Sequence, residues 1–182
     1  IPHGVIIKTP HSLPPKEKVT TIAFLGALAK DKGIEDAIKT FSLLNKKGNF
    51  NFWVIGKGGE PYLSFLKSKA ENLGLGKNLK FWGFVSQEKK FELLSKAHIM
   101  INPSIREGWG LVNIEANAMG TPVVAYKSPG LIDSVRNNQS GVICLENTPE
   151  NMAGAALEIL KDKRLYEKLK KGGMTWSKQF SW

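Results

Sequence analysis

Two carboxylates with seven residues between them, Glu107 and Glu115, stand in the stretch PSIREGWGLVNIEANAMGTPVVAY (Pro103 to Tyr126), which reads as loop, helix, tight turn and buried strand. Glu107 lies in a Gly-rich entry with Gly108 and Gly110. Glu115 falls on the helical stripe Val112, Glu115, Ala116, Met119, whose other members are apolar, while Asn113 and Asn117 take the opposite face. A carboxylate aimed into an apolar stripe asks for a hydrogen-bond partner, because burying it alone costs on the order of kcal/mol. Backbone N–H groups from Gly108 to Leu111, at a helix start, suit an anion or a hydroxyl-rich ligand. Glu107 complementing the helix dipole and Glu115 capping a buried amide would explain the same residues without a ligand. Residue types alone leave both readings open.

The elements that must position these acids repeat a strand-turn-helix unit. Val19 to Ala27 is a β-branched and aromatic run ending near Gly26. A Lys- and Gly-bearing turn follows, and then a helix from about Ile34 to Lys47 with Ala37, Ile38, Phe41 and Leu44 at helical spacing. Asn51 to Ile55 is the next strand, followed by the turn Gly56 to Gly59 and a helix from about Pro61 to Leu73. Strands are also expected at Asn78 to Val85, Ile99 to Asn102, Pro122 to Ala125 and Gly141 to Leu145. The remaining helices are expected at Gln87 to Ala97, Leu131 to Arg136, Pro149 to Lys161 and Arg164 to Lys178. Alternating short strands and helix-length crossovers predict an α/β fold, a Rossmann-like parallel sheet of about six strands with helices on both faces. Right-handed crossovers collect the turns at Gly26 to Gly33, Gly56 to Gly59, Phe84 to Ser86 and Pro103 to Gly110 at one sheet edge, where such folds bind ligands.

Composition sets broader bounds. The 182 residues, 42% of them hydrophobic, suffice for one compact domain, with residues 1–18 (IPHG, then SLPPKEK) read as a Pro-rich connector and 19–182 as the domain. A chain that starts at Ile1 and stops at Trp182 is expected to be a piece of something larger. No apolar run approaches the roughly 20 residues of a membrane span. The single Cys144, in an apolar run, is expected to be a buried thiol rather than a nucleophile. The formal charge of +10, from 26 Lys and Arg against 16 Asp and Glu, favours anionic partners. Most helical lysines, including Lys89 and Lys90, are expected on solvated faces. His3 and His11 lie in the connector with no second ligand at metal spacing, His98 is expected as a strand-edge residue rather than a catalyst, and no Asp-any-Asp pair occurs, so no metal site and no cofactor are expected.

The whole string resembles the signature of retaining nucleotide-sugar glycosyltransferases of the GT-B fold, family 4, also called group 1. The match runs through Glu107, Gly108, Gly110, Leu111, Glu115, Ala116, Ala118, Gly120, Pro122, Val123 and Val124. It extends to Gly26, Lys32, Gly33, Gly56, Gly58, Gly83, Pro103, Ser104, Gly130 and Gly141. The opening IPHGV resembles the family's interdomain linker, and FSW (Phe180 to Trp182) its entry to a last helix. The resemblance implies the C-terminal, donor-binding half of a hexosyltransferase that works with an N-terminal acceptor domain. Its donor would be a UDP or GDP sugar and its acceptor a glycan or lipid-linked saccharide, as in polysaccharide biosynthesis. The setting would be cytoplasmic, with peripheral association at the inner membrane face allowed.

Carried over residue by residue, the resemblance implies that Glu115 accepts hydrogen bonds from the nucleotide's ribose. Glu107, with the N–H groups of Gly108, Trp109, Gly110 and Leu111, would hold the sugar, and Lys32 would neutralise the diphosphate. Gly26, Gly56 and Gly58 would let backbone approach the nucleotide, and Phe84 and Val85 would offer main-chain groups to the base. Trp109 either shapes the sugar pocket or packs under its loop, and Trp53 and Trp82 are expected in the core. One departure counts against full activity: Ala27 stands where the family usually has an arginine, with Lys30 as a substitute cation. It motivates a second reading, a non-catalytic partner subunit. The charge motivates a third, a nucleic-acid-binding domain, which no aromatic-interleaved basic patch supports.

Overall fold

A computed structural model describes residues 6–180, so the IPHGV opening and the last two residues of FSW lie outside the described residues. The six strands are β1 (Thr20–Leu25), β2 (Phe50–Ile55), β3 (Leu79–Gly83), β4 (Ile99–Asn102), β5 (Val123–Ala125) and β6 (Gly141–Ile143). All neighbours run parallel in the order β3-β2-β1-β4-β5-β6. The order reverses between β1 and β4. Central strands are buried on both faces, which is why Ile22, Ala23 and Phe24, or Ile99 to Ile101, read as continuous apolar runs rather than alternating ones.

The helices are α1 (Ile34–Asn45), α2 (Glu60–Asn72), α3 (Gln87–Lys96), α4 (Leu111–Ala118), α5 (Leu131–Ser134), α6 (Pro149–Lys161) and α7 (Lys163–Ser177). Their starts are chemically marked. Ser86 accepts from the Lys89 N–H at 3.1 Å, Thr148 from Asn151 at 3.1 Å, and Asp162 from both Arg164 and Leu165 at 3.0 Å. Helix α1 packs on α6, whereas α4 packs on α3 and α7, so the sheet is covered on both sides. In the core Phe41 stacks on Phe52 with ring centroids 5.0 Å apart. Each such buried ring contributes about 1.5–3 kcal/mol of transfer free energy.

Element boundaries depart from expectation where glycine or turn geometry intervenes. The third strand stops at Gly83, whose φ of 68° turns the chain before Phe84. The short helix stops at Ser134 because Val135 is extended. Residues 30–32 form a single 3-10 turn. Residues 6–19 carry no helix or strand. Among the described residues no helix is long and apolar enough to cross a membrane.

Candidate functional site

The turns that follow β1, β2, β3 and β4 are hydrogen-bonded into one continuous rim. Gly26 N–H donates to Ile55 O and Leu28 N–H to Lys57 O, both at 3.0 Å, and Gly56 N–H donates to Gly83 O at 2.9 Å. The loop after β4 is tied to the first turn by Ile105 N–H on Asp31 O at 2.9 Å and by Ser104 Oγ on the same oxygen at 3.2 Å. Gly33, with φ 76°, permits this: a Cβ there would collide with the Pro103 carbonyl. Since β1 and β4 are the pair where strand order reverses, the two tied loops border the crevice of a doubly wound sheet.

Both acids of the 103–126 stretch carry a lysine. Lys32 Nζ lies 3.0 Å from Glu107 Oε1, bringing together the residues expected to neutralise the diphosphate and to hold the sugar. Glu115, 7% exposed, receives Lys90 Nζ on Oε1 at 2.8 Å, and its Oε2 is buried without a partner. Lys90 therefore departs from the solvated face expected of helical lysines; its side chain is 15% exposed. Sequence offered a signal only in Glu115 itself, a buried acid that needed a partner.

Helix α4 differs from the expected two-faced helix. Asn113 and Asn117, on the polar side, are as buried as the apolar stripe because α5 and α7 cover them. Asn113 accepts from Asn102 Nδ2 and donates to Ser134 Oγ, each at 2.9 Å, joining the end of β4 to α5. Asn117 Nδ2 reaches the carbonyls of Thr121 and Ser140 at 3.2 and 3.0 Å. This network fixes the α4 start. Gly110 caps the helix with φ 73°, and the Asn113 N–H turns back to its carbonyl. Leu111 and Val112, as first-turn residues, have no intrahelical acceptor for their N–H groups. Gly108 is exposed, with open space where a side chain would stand.

The glycines of the second turn have a different immediate cause than close approach to a ligand. A Cβ on Gly56 would strike the Gly26 carbonyl, and one on Gly58 would come within 2.7 Å of Leu28 Cβ. They let two turns cross. Gly26 itself would tolerate a Cβ, which meets only the Phe24 ring at 3.6 Å. Phe84 is 78% exposed beside the half-buried Val85, and Lys57 Nζ stands 5.7 Å from its ring centroid. Ala27 and Lys30 are both exposed on the first turn.

Trp109 packs on Phe180 at 4.7 Å between centroids, and Phe180 in turn meets Trp176 at 4.7 Å. The packing reading describes its contacts. Trp53 and Trp82 contact each other edge-to-face at 5.8 Å, half-buried rather than fully in the core. His98 immediately precedes β4, at the end away from the rim, where its Nδ1 accepts from Thr21 N–H at 3.0 Å. Burial, then nearby Lys16, lower its pKa. Cys144 is buried, and burial pushes its thiol up to about 11, as suits an inert position. A groove of about 870 Å³ runs between residues 6–14 and α3, past Ile6, Pro14, Phe91 and Met119, and none of the predicted site residues line it. Among the described residues no three His, Cys, Asp or Glu side chains gather as metal ligands.

The sequence pattern of the family described as "Glycosyl transferases group 1" matches residues 6–176. The chain belongs to the group 1 glycosyltransferases. This glycosyltransferase chain is 31% identical over 165 residues to an uncharacterized glycosyltransferase of Methanocaldococcus jannaschii, covering 87% of this chain and 43% of that protein. It is 30% identical over 173 residues to the D-inositol 3-phosphate glycosyltransferase of Segniliparus rotundus, covering 93% and 38%. It thus spans less than half the length of these relatives. Its fold is similar to that of Anabaena HepE in complex with UDP and glucose, with a TM-score of 0.81 at 21% identity, over 90% of this chain and 45% of that one. It is also similar to the C-terminal domain of the group 1 family protein LpcC from Francisella tularensis, with a TM-score of 0.78 at 24% identity, over 88% and 85%. The sheet is the Rossmann-like half of a GT-B fold.

Proposed function

We propose that this chain is the donor-binding domain of a retaining hexosyltransferase. It takes a hexose from a nucleoside diphosphate sugar and, with an acceptor-binding domain, passes it to a glycan or lipid-linked acceptor. One observation carries the reading: Lys32 and Glu107 meet across the strand-order reversal at 3.0 Å. HepE, of similar fold, is described in complex with UDP and glucose, which supports a donor of that class.

The reaction breaks the bond from the sugar's anomeric carbon to a phosphate oxygen, so negative charge grows on the departing diphosphate. A fixed cation at that oxygen lowers the barrier, and Lys32 is the cation of the first turn placed to serve. Glu107 and the N–H groups from Gly108 to Leu111 hold the sugar's hydroxyls. Glu115 accepts from the ribose, and the main chain at Phe84 and Val85 meets the base. Trp109, through its packing on Phe180, shapes the loop behind the sugar. The +10 charge then has nucleotide phosphates and anionic head groups at the cytoplasmic membrane face to attract, rather than nucleic acid.

Calorimetry of the chain with UDP, GDP and ADP tests the reading. Binding of at least one of them is expected, weakened by Glu115→Ala. No binding at millimolar nucleotide, or equal affinity after the substitution, overturns it.

The exposed Ala27 on the first turn favours a second reading, a non-catalytic partner subunit of an active transferase. Sugar transfer by the full-length protein, lost with Lys32→Ala or Glu107→Gln, decides for the enzyme.

A further inference from the structure

Lys90 is the one hydrogen-bond partner of the Glu115 carboxylate among the described residues. It reaches α4 from α3, a helix whose other lysines, Lys89 and Lys96, pair with Glu92 on the helix's own surface. Its ammonium is held from two sides: Glu115 Oε1 lies at 2.8 Å and the Phe91 ring centroid at 5.0 Å. A buried carboxylate is costly without a hydrogen-bonded partner of opposite charge, and Lys90 is that partner. With Oε1 engaged, the unmet acceptor is Oε2, buried and without a partner. A ribose hydroxyl is a donor of the kind that this oxygen lacks. Oε2 is shielded from water, so a ligand that reaches it shifts side-chain atoms. An aliphatic lysine arm adjusts more cheaply than backbone.

We propose that Lys90 is a positioning residue for nucleotide recognition. It holds Oε1 of Glu115 and leaves Oε2 for the ribose, so the preference for ribose over deoxyribose is set from α3 as well as from α4. This rests on the ribose role proposed above for Glu115.

The test is calorimetry with whichever of UDP, GDP or ADP binds best, its 2′-deoxy and 3′-deoxy forms, and inorganic pyrophosphate. A hydrogen bond to a charged group predicts that the wild type favours the ribose form by about tenfold or more. Lys90→Met is expected to cut that preference below about threefold while pyrophosphate binding stays unchanged. Lys90→Arg, which keeps the cation, is expected to hold most of the preference. A Lys90→Met variant with the wild-type preference overturns the proposal, as does a Lys90→Arg variant without any. Loss of pyrophosphate binding together with the preference assigns Lys90 a structural role instead, which also overturns it. A wild type that binds nucleotide but shows no ribose preference overturns the ribose role of Glu115, and this proposal with it.

Discussion

Lys32 Nζ and Glu107 Oε1 stand 3.0 Å apart although β1 and β4 bring them from opposite halves of the sheet. The contact exists because two loops at the reversal of strand order are bonded to each other through Asp31, Ser104 and Ile105. Neither residue is deeply buried, at 29% and 19% side-chain exposure. Its worth lies in placing a cation and an acid together at the crevice.

Lys32→Ala should therefore leave stability within about 1 kcal/mol of wild type, the usual range of a partly exposed pair. Nucleoside diphosphate affinity should fall about tenfold or more, since the lost contact is charge-assisted. Affinity for the matching nucleoside should hardly change. Calorimetry and urea denaturation read both, and equal losses for diphosphate and nucleoside would remove Lys32 from the phosphate site.

Ala27→Arg adds a cation at an exposed position of the first turn. Tighter binding of the diphosphate by several-fold is expected, with a steeper salt dependence and no change for the nucleoside. If titration shows diphosphate affinity unmoved, the first turn does not face the phosphates.

Gly56→Ala should destabilise the domain by more than about 2 kcal/mol, because its φ of 140° and the Gly26 carbonyl both exclude a Cβ. Gly59→Ala is the matched control. Gly59 has φ −63° with open space around it, and the change should cost less than about 0.5 kcal/mol. Equal melting temperatures for the two variants would contradict the crossing of the turns.

Lys16 predicts a pH dependence away from the crevice. Its ammonium donates to Gly120 O at 3.0 Å and Thr121 Oγ1 at 2.9 Å, and burial, then Lys170, lower its pKa from 10.5 to about 7. The unfolded chain binds the proton more tightly, so this group's stabilisation is full above 10.5 and is lost as pH falls toward 7. Denaturation midpoints should rise from pH 7 to pH 10, and Lys16→Met should flatten that rise. A wild type without the rise refutes the shift.

Much of this was legible in the residues. Apolar runs such as Ile99 to Ile101 and the 3.6-residue spacing of Ala37, Ile38, Phe41 and Leu44 fix element types, because burial of whole faces leaves a periodic trace. Lys90 was not legible: nothing in QEKKFELLSK distinguishes the lysine that crosses to α4 from Lys89, which pairs with Glu92. Asn113 and Asn117 look solvent-facing by pattern, yet partners distant in sequence, Asn102, Ser134 and Ser140, satisfy them inside. Gly56 reads as a ligand glycine but answers first to Gly26. In each case the deciding neighbour comes from another element, which periodicity cannot report.

The reversal of strand order between β1 and β4 has a consequence for how the two halves of the sheet are joined. The loop carrying Lys32 and the loop carrying Glu107 follow β1 and β4, and they are bonded to each other where those two strands pair. A nucleotide gripped by both, as proposed, would recognise the finished sheet and no partial one, and would act as a clamp that holds its two halves together.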